Sequence, residues 1–154
     1  MPLRLLLSLL ILASPVPALA QAPLLPAPLP PGAESGVWRD QTGRRIGSVE
    51  ASGGRQVVRD TQGRRLGTIE EGAGGRIVFR DAAGRRTGSA DTDASGRTVF
   101  RDSQGRRAGT ATPSGSGRVV LRDAAGRRTG TLEPRYGSGA TIRDRRGSTM
   151  GSFR

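Results

Sequence analysis

The sequence contains no cysteine, no histidine and no lysine, and each absence excludes some chemistry. Without cysteine there is no disulfide framework, no thiol nucleophile and no residue for lipid attachment after an export signal. Without histidine, the commonest general base and ordinary zinc ligand are missing, and the serines have no base to activate them in a familiar triad. The glycine-rich stretches also lack the lysine of a phosphate-binding P-loop. We therefore predict that the protein is not an enzyme and uses no cofactor.

The carboxylates do not supply an alternative catalytic or metal site. Glutamates 50, 70, 71 and 133 form no recurring pair of the kind that hydrolyses glycosides. Some β-helices bind calcium through nonapeptide repeats rich in glycine and aspartate, but the aspartates here recur about every 21 residues. Each stands beside arginines, whose charge repels a dication. We predict no catalytic residues and no metal site.

Residues 1–20 have the composition of a cleavable export signal. A basic start at Arg4 precedes an apolar run, two prolines and a small-residue ending at Ala20. The apolar run is shorter than the ~20 residues that a spanning helix needs, so an uncleaved membrane anchor is the less favoured alternative. We expect an exported protein, periplasmic, at the cell surface or secreted, with no transmembrane segment after signal removal.

Residues 21–36 are rich in proline and are predicted to be an extended linker of polyproline II character. Such a stretch could also be a ligand for a proline-binding module, although nothing else in the sequence indicates such a partner. The linker would separate the export signal from the rest of the chain, residues 37–154.

Residues 37–154 consist of six tandem repeats of roughly 21 residues, aligned on Asp-x-x-Gly. Aspartate favours the first position of a type I turn, and glycine three residues later supplies the positive φ that closes a hairpin with a G1 bulge. Apolar residues enter the turn and Gly-Arg-Arg-x-Gly-Ser/Thr leaves it in most units, which is a hairpin pattern. The predicted turn residues are Asp40, Gly43, Asp60, Gly63, Asp81, Gly84, Asp102, Gly105, Asp123, Gly126, Asp144 and Gly147.

Strand alternation from these turns predicts one core position on each incoming strand. If Asp81 faces Arg85, then Arg80 faces Arg86, and Phe79 faces Thr87. The second glycine of the unit would lie opposite the preceding residue, Val78 in this hairpin, where it would let a neighbouring backbone or side chain approach closely. The predicted core pairs are Trp38–Ile46, Val58–Leu66, Phe79–Thr87, Phe100–Ala108, Leu121–Thr129 and Ile142–Met150.

The predicted fold is all-β: an antiparallel meander of six hairpins, open or closed into a flower-like ring or small barrel. Closure is attractive because it removes exposed edge strands. The alternative is a disordered basic polypeptide, since large aliphatic residues are scarce and the formal net charge is +12. Against disorder, the apolar residues recur in register with the turns. Neighbouring hairpins can therefore share a buried face, as in other repeat proteins.

The segment Val-Phe-Arg-Asp-x-x-Gly-Arg resembles the Tyr-Asp (YD, Rhs-type) repeats of exported bacterial toxins and surface proteins. Those repeats also place Asp-x-x-Gly-Arg in hairpins of similar period. This sequence has Val, Trp, Phe, Leu or Ile where that family carries tyrosine. Short exported hairpin-repeat proteins of proteobacteria are also similar. The resemblance implies hairpins and export, and it implies no activity.

Arginine placement suggests a partner. An arginine precedes each turn aspartate, and a pair follows the turn glycine in five units; in the sixth unit the pair falls inside the turn. Equivalent arginines would recur about every 10 Å along a sheet, near the Debye length at physiological salt. The candidate polyanion-binding residues are Arg39, Arg45, Arg59, Arg65, Arg80, Arg86, Arg101, Arg107, Arg122, Arg128 and Arg143.

Three functions remain open from the sequence alone. The first is a structural or interaction module of the cell envelope, with the arginines solvating the surface and pairing with turn aspartates. The second is a binder of an anionic polymer or envelope component: polysaccharide, lipopolysaccharide or nucleic acid. The third is a disordered secreted polypeptide. Specific nucleic-acid recognition is not expected, because aromatic residues make up 3% of the chain and leave little to stack on bases.

Overall fold

The computed structural model describes residues 35–135 and 139–154, which form antiparallel strands and one short 3-10 turn, Ala73–Gly75. The predicted signal at 1–20 and nearly all of the linker at 21–36 lie outside the described residues. No helix in the described ranges is long and apolar enough to cross a membrane. The strands are β1 Gly36–Asp40, β2 Arg45–Ser52, β3 Arg55–Arg59, β4 Arg65–Glu71, β5 Ile77–Asp81, β6 Arg86–Thr92, β7 Thr98–Asp102, β8 Arg107–Ser114, β9 Arg118–Asp123, β10 Arg128–Pro134, β11 Ala140–Asp144 and β12 Thr149–Phe153.

Each strand pairs with its neighbours in sequence, and β1 also pairs with β12, so the meander closes into a barrel. Closure confirms the all-β hairpin prediction and selects the barrel among its alternatives. At the seam Trp38 lies opposite Phe153, and main-chain hydrogen bonds join Val37 and Arg154 in both directions. Because every edge is paired, none of the twelve strands offers a template for aggregation.

The six predicted turns have the predicted geometry. In the third hairpin the Gly84 amide donates to the Asp81 carbonyl oxygen at 3.0 Å, and the Asp81 amide donates to the Arg85 carbonyl oxygen at 2.9 Å. Gly84 has a φ of +81°, as the turn requires. The Asp81 carboxylate also accepts the Arg85 amide at 2.9 Å. The same main-chain pattern closes the turns Asp40–Gly43, Asp60–Gly63, Asp102–Gly105, Asp123–Gly126 and Asp144–Gly147.

The register beyond the arginine pair differs from the prediction by one residue. Arg80 lies opposite Arg86 as expected, but Phe79 lies opposite Gly88 and not opposite Thr87. The register shift between Phe79 and Arg80 leaves Thr87 as the extra residue of a β-bulge. Similar shifts recur in every hairpin. The predicted pairs Trp38–Ile46, Val58–Leu66, Phe79–Thr87, Phe100–Ala108, Leu121–Thr129 and Ile142–Met150 are therefore wrong, because strict alternation does not account for a bulge.

The core position itself is correct for five of the six incoming strands: Val58, Phe79, Phe100, Leu121 and Ile142 are buried. The sixth, Trp38, is half-buried. Their partners come from the preceding hairpin, as where Phe100 faces Ala90 and Leu121 faces Ala111. Since these apolar side chains share one face of a closed sheet and are almost fully buried, the core fills the inside of the barrel.

The second glycine of each unit joins one hairpin to the next. Gly88 lies opposite Asp102 of the following hairpin, and a Cβ at Gly88 would stand 2.5 Å from the Arg101 carbonyl oxygen. The predicted pairing of Gly88 with Val78 is wrong because of the bulge. The predicted role of Gly88 in allowing a neighbouring backbone to approach closely is confirmed. The equivalent glycines, each facing the carbonyl before a turn aspartate, are Gly67, Gly109, Gly130 and Gly151.

Candidate polyanion-binding surface

The six predicted turns all lie at one end of the barrel, because strands alternate in direction and the other connections return at the opposite end. The two arginines of each turn region are exposed in all six hairpins. We call these twelve residues the basic rim; the only acids within these turns are the six turn aspartates. The basic rim consists of Arg44, Arg45, Arg64, Arg65, Arg85, Arg86, Arg106, Arg107, Arg127, Arg128, Arg145 and Arg146.

The arginines before the turn aspartates use part of their hydrogen-bonding capacity in contacts within the barrel. We call these six residues the collar arginines, because they follow one another around the outer face below the basic rim. Arg80 donates from Nη1 to the Gly84 carbonyl oxygen at 3.0 Å, which ties the side chain over its own turn. Equivalent bonds of 2.9–3.1 Å are made by Arg39, Arg59, Arg101, Arg122 and Arg143.

In five of the six hairpins the second arginine of the rim pair lies opposite a collar arginine, as predicted; in the sixth, Arg143 lies opposite Thr149. Arg86, opposite Arg80, turns away and donates from Nη2 to Ser89 Oγ at 3.0 Å, and Arg45 does the same with Ser48. In these two hairpins the charge repulsion is reduced because the two opposed guanidinium groups face different partners. Three further predicted residues form no ion pair within the described ranges: Arg65, Arg107 and Arg128.

The first arginine of four rim pairs forms an ion pair with its turn aspartate. Arg85 Nε lies 3.0 Å from Asp81 Oδ2, and the Arg85 side chain remains 81% exposed. Hydrogen bonds from the Arg85 backbone amide and side chain lower the pKa of Asp81 below its ordinary value of 3.8, despite an opposing effect of burial. Such exposed pairs stabilise a protein little, so these arginines stay available to an external anion. The other three pairs are Arg64–Asp60, Arg106–Asp102 and Arg127–Asp123.

An acidic position that sequence reasoning missed binds the collar arginines. Glu70, three residues after Gly67, accepts Arg80 Nε at 3.0 Å, and this hydrogen bond lowers the pKa of Glu70. The repeated spacing from the second glycine could have revealed the position. The equivalent contacts are Arg59–Glu50 at 3.0 Å, Arg143–Glu133 at 2.7 Å and Arg101–Asp91 at 3.8 Å.

A second arginine approaches three of these acids from the preceding strand. Arg55 lies 3.7 Å from Glu70, so the Glu70 carboxylate is held between Arg55 and Arg80. We call this arrangement of two arginines around one acceptor an arginine clamp. Two further clamps hold Asp91 between Arg76 and Arg101, and Glu133 between Arg118 and Arg143.

The end of the barrel away from the basic rim contains one more aspartate turn, which sequence reasoning treated as a plain glycine-rich return. Gly96 has a φ of +79° and donates to the Asp93 carbonyl oxygen at 2.9 Å. Arg97 Nε donates to Asp93 Oδ2 at 3.1 Å. Acids and arginines at this end are in near balance, so positive charge is concentrated at the basic rim. No acidic residues in the described ranges group in a way that could hold a metal ion.

Comparison with known proteins yields little. No family model and no curated protein matches the chain, so its resemblance to YD repeats stays a prediction. Among solved structures, the chain is similar to alternansucrase in complex with isomaltononaose, at 14% identity and a TM-score of 0.20. That match covers 70% of this chain and 12% of the alternansucrase chain. At this TM-score the similarity carries no argument about fold or function.

Proposed function

We propose that this protein is an exported, non-enzymatic interaction module that binds an extended anionic polymer of the cell envelope through the basic rim. The observation that carries the proposal is the one-sided charge: twelve exposed arginines face six aspartates at one end of the barrel. A potential of one sign over one surface attracts polyanions and speeds their association. Export rests on the signal-like composition of residues 1–20.

The rim suits a repeating anion better than a single small ligand. Equivalent arginines recur once per hairpin, about 10 Å apart across two strands, so successive anionic groups of a polymer can each contact a different hairpin. Several rim arginines, among them Arg65, Arg107 and Arg128, form no ion pair in the described part of the chain, so an external anion can bind them without displacing a carboxylate. Arginine also offers a rigid fork of donors that matches phosphate, sulfate and carboxylate groups.

The test is binding of the purified protein to heparin, lipopolysaccharide and mixed-sequence duplex DNA across a salt series. A charge-based mechanism predicts that affinity falls steeply as salt rises, by about 0.9 logarithmic units per decade of salt for each DNA phosphate contact. The rim variant replaces Arg65, Arg86, Arg107 and Arg128 with glutamine. It should bind all charged probes more weakly and with a shallower salt dependence.

The matched control replaces four arginines at the opposite end, Arg55, Arg76, Arg118 and Arg135, with glutamine. It removes the same charge and should retain more affinity than the rim variant. If the two variants lose affinity equally, net charge and not the basic rim is responsible. Binding that does not weaken with salt would refute the charge-based mechanism altogether. Preference for heparin or lipopolysaccharide over DNA identifies the polymer class.

A further inference from the structure

One arginine clamp lacks its acid. In β8, the position three residues after Gly109 is occupied by Thr112 instead of Glu or Asp. Thr112 lies opposite Val120 on β9, as Glu70 lies opposite Val78 on β5. Thr112 therefore stands where a carboxylate stands in four other repeats.

Both arginines of this clamp are present. Arg122 lies opposite Thr110, two residues from Thr112, as the collar arginine Arg80 lies opposite Thr68, two residues from Glu70. On the other side of β8, strand β7 pairs with it so that Thr98 lies opposite Ala111. This register places Arg97, the residue before Thr98, beside Thr112.

Arg122 differs from the four collar arginines that contact an acid, and shares this lack of an acid partner with Arg39. Its Nη1 donates to the Gly126 carbonyl oxygen at 3.1 Å, like every collar arginine, but it forms no ion pair within residues 35–135 and 139–154. Arg122 is exposed, as is Arg101, the collar arginine that contacts Asp91. Arg97 contacts Asp93 through Nε, and no other hydrogen bond of its guanidinium is found in these ranges. The strand register thus brings Arg97, Arg122 and the Thr112 hydroxyl to one part of the sheet, where the described residues supply no carboxylate at the Thr112 position.

We propose that Arg97, Thr112 and Arg122 form a binding site for one oxyanion group, a sulfate or phosphate, which takes the place of the missing carboxylate. The Nε–H of Arg122 donates to this group as Arg80 Nε donates to Glu70 Oε2. The Thr112 hydroxyl and the terminal amino groups of Arg97 supply further donors. The site deepens the proposed function, because it would hold one charged group of the polymer; binding of the free anion does not depend on that function.

The test uses the ¹⁵N–¹H resonances of the arginine Nε groups, with Arg122 assigned from the loss of one signal in R122K. Sodium sulfate is added to the folded protein, with sodium chloride at matched ionic strength as the reference. We expect the Arg122 signal to shift along a saturating curve in sulfate and not in chloride. A linear shift, or an equal shift in both salts, would overturn the site.

Three variants separate a site from general charge. T112E supplies the missing carboxylate and should weaken the sulfate response of Arg122 about tenfold or more, since a charge-assisted bond is lost to an internal competitor. Q41E adds the same charge on an exposed turn of another hairpin and should leave the response unchanged. E133T removes the acid of an intact clamp and should give Arg143 a new saturating response. An unchanged response of Arg122 in T112E, or no response of Arg143 in E133T, would overturn the proposal.

Measurements of polymer binding separate the oxyanion site at Arg122 from the proposed binding of a polymer by the basic rim. A rim variant that keeps Arg128, which lies opposite Arg122, carries its substitutions away from the clamp and should keep the sulfate response of Arg122 while it loses heparin affinity. T112E should keep most heparin affinity while it loses the sulfate response. Sulfate binding at Arg122 in a protein that binds no polymer would refute the proposed function and support the site. Salt-dependent polymer binding without the sulfate response would do the reverse.

Discussion

Replacing Gly88 with alanine tests the contact that joins one hairpin to the next. The new Cβ would stand 2.5 Å from the Arg101 carbonyl oxygen, a distance that requires β6 and β7 to move apart. The obstacle is backbone held in a paired sheet, so it cannot rotate away as a flexible side chain could. Overpacking of this kind costs about 1–3 kcal/mol. The entropic gain of replacing glycine, about 0.4–1 kcal/mol, offsets only part of it.

We therefore expect G88A to lower the free energy of unfolding by about 1–2 kcal/mol, after the entropic gain is subtracted. With a urea slope of about 2 kcal/mol per molar, the unfolding midpoint falls by about 0.5–1 M. The assay is urea unfolding followed by circular dichroism and by the fluorescence of Trp38, the single tryptophan. Both probes should report the same midpoint if the barrel unfolds as one unit.

G115A is the matched control. Gly115 lies in the connection between β8 and β9, has no positive φ, and an added Cβ there would meet nothing within 4 Å. The same substitution at this position should leave stability unchanged or raise it by about 0.4–1 kcal/mol. If G88A is as stable as G115A, the strands can separate at no cost, and close approach is not the reason for glycine at this position.

Two further perturbations test closure and electrostatics. Phe153 is 1% exposed and its ring lies 4.6 Å from that of Trp38, so F153A should cost about 3–5 kcal/mol and change the tryptophan emission. M150A, at a half-buried bulge position of the same strand, should cost less in the same urea assay; equal losses would argue against a special role for the seam. The depressed pKa values of Asp81, Glu70 and Glu133 stabilise the fold above their ordinary values of 3.8 and 4.5, and this contribution is lost as pH falls through the folded-state pKa values. Thermal midpoints should therefore drop between pH 6 and pH 2.5 in low salt, and equal midpoints would contradict the role of these ion pairs.

The acids that bind the collar arginines were visible in the sequence, but their contacts could not be predicted from it. Glu50, Glu70 and Glu133 each follow the second glycine by three residues, but the sequence does not indicate which residue each carboxylate contacts. Their partners are collar arginines about ten residues away on the neighbouring hairpin. The spacing within a repeat was visible in the sequence, whereas contact across the hairpin boundary depends on register. That Thr112 replaces an arginine-binding acid can be recognised only once the contact between hairpins is known.

The sequence by itself determined the local structure of this protein. Asp-x-x-Gly specifies the hairpin turn because aspartate caps it and glycine alone accepts the positive φ, as at Asp81 and Gly84. The repeat length, the incoming core residue and the arginine-rich turns follow from the same pattern. These features are local, so a few neighbouring residues are sufficient to encode them.

Only the tertiary structure decided how the hairpins fit together. The bulge at Thr87 moves Phe79 opposite Gly88, and the equivalent bulge at Ala108 leaves Phe100 facing Ala90 of the preceding hairpin. The antiparallel meander places all six turns at one end, and closure through β1 and β12 joins their arginines into a basic rim. Strand register and ring closure depend on contacts between residues far apart in sequence. Their free energy comes from packing and main-chain pairing, which no single repeat contains.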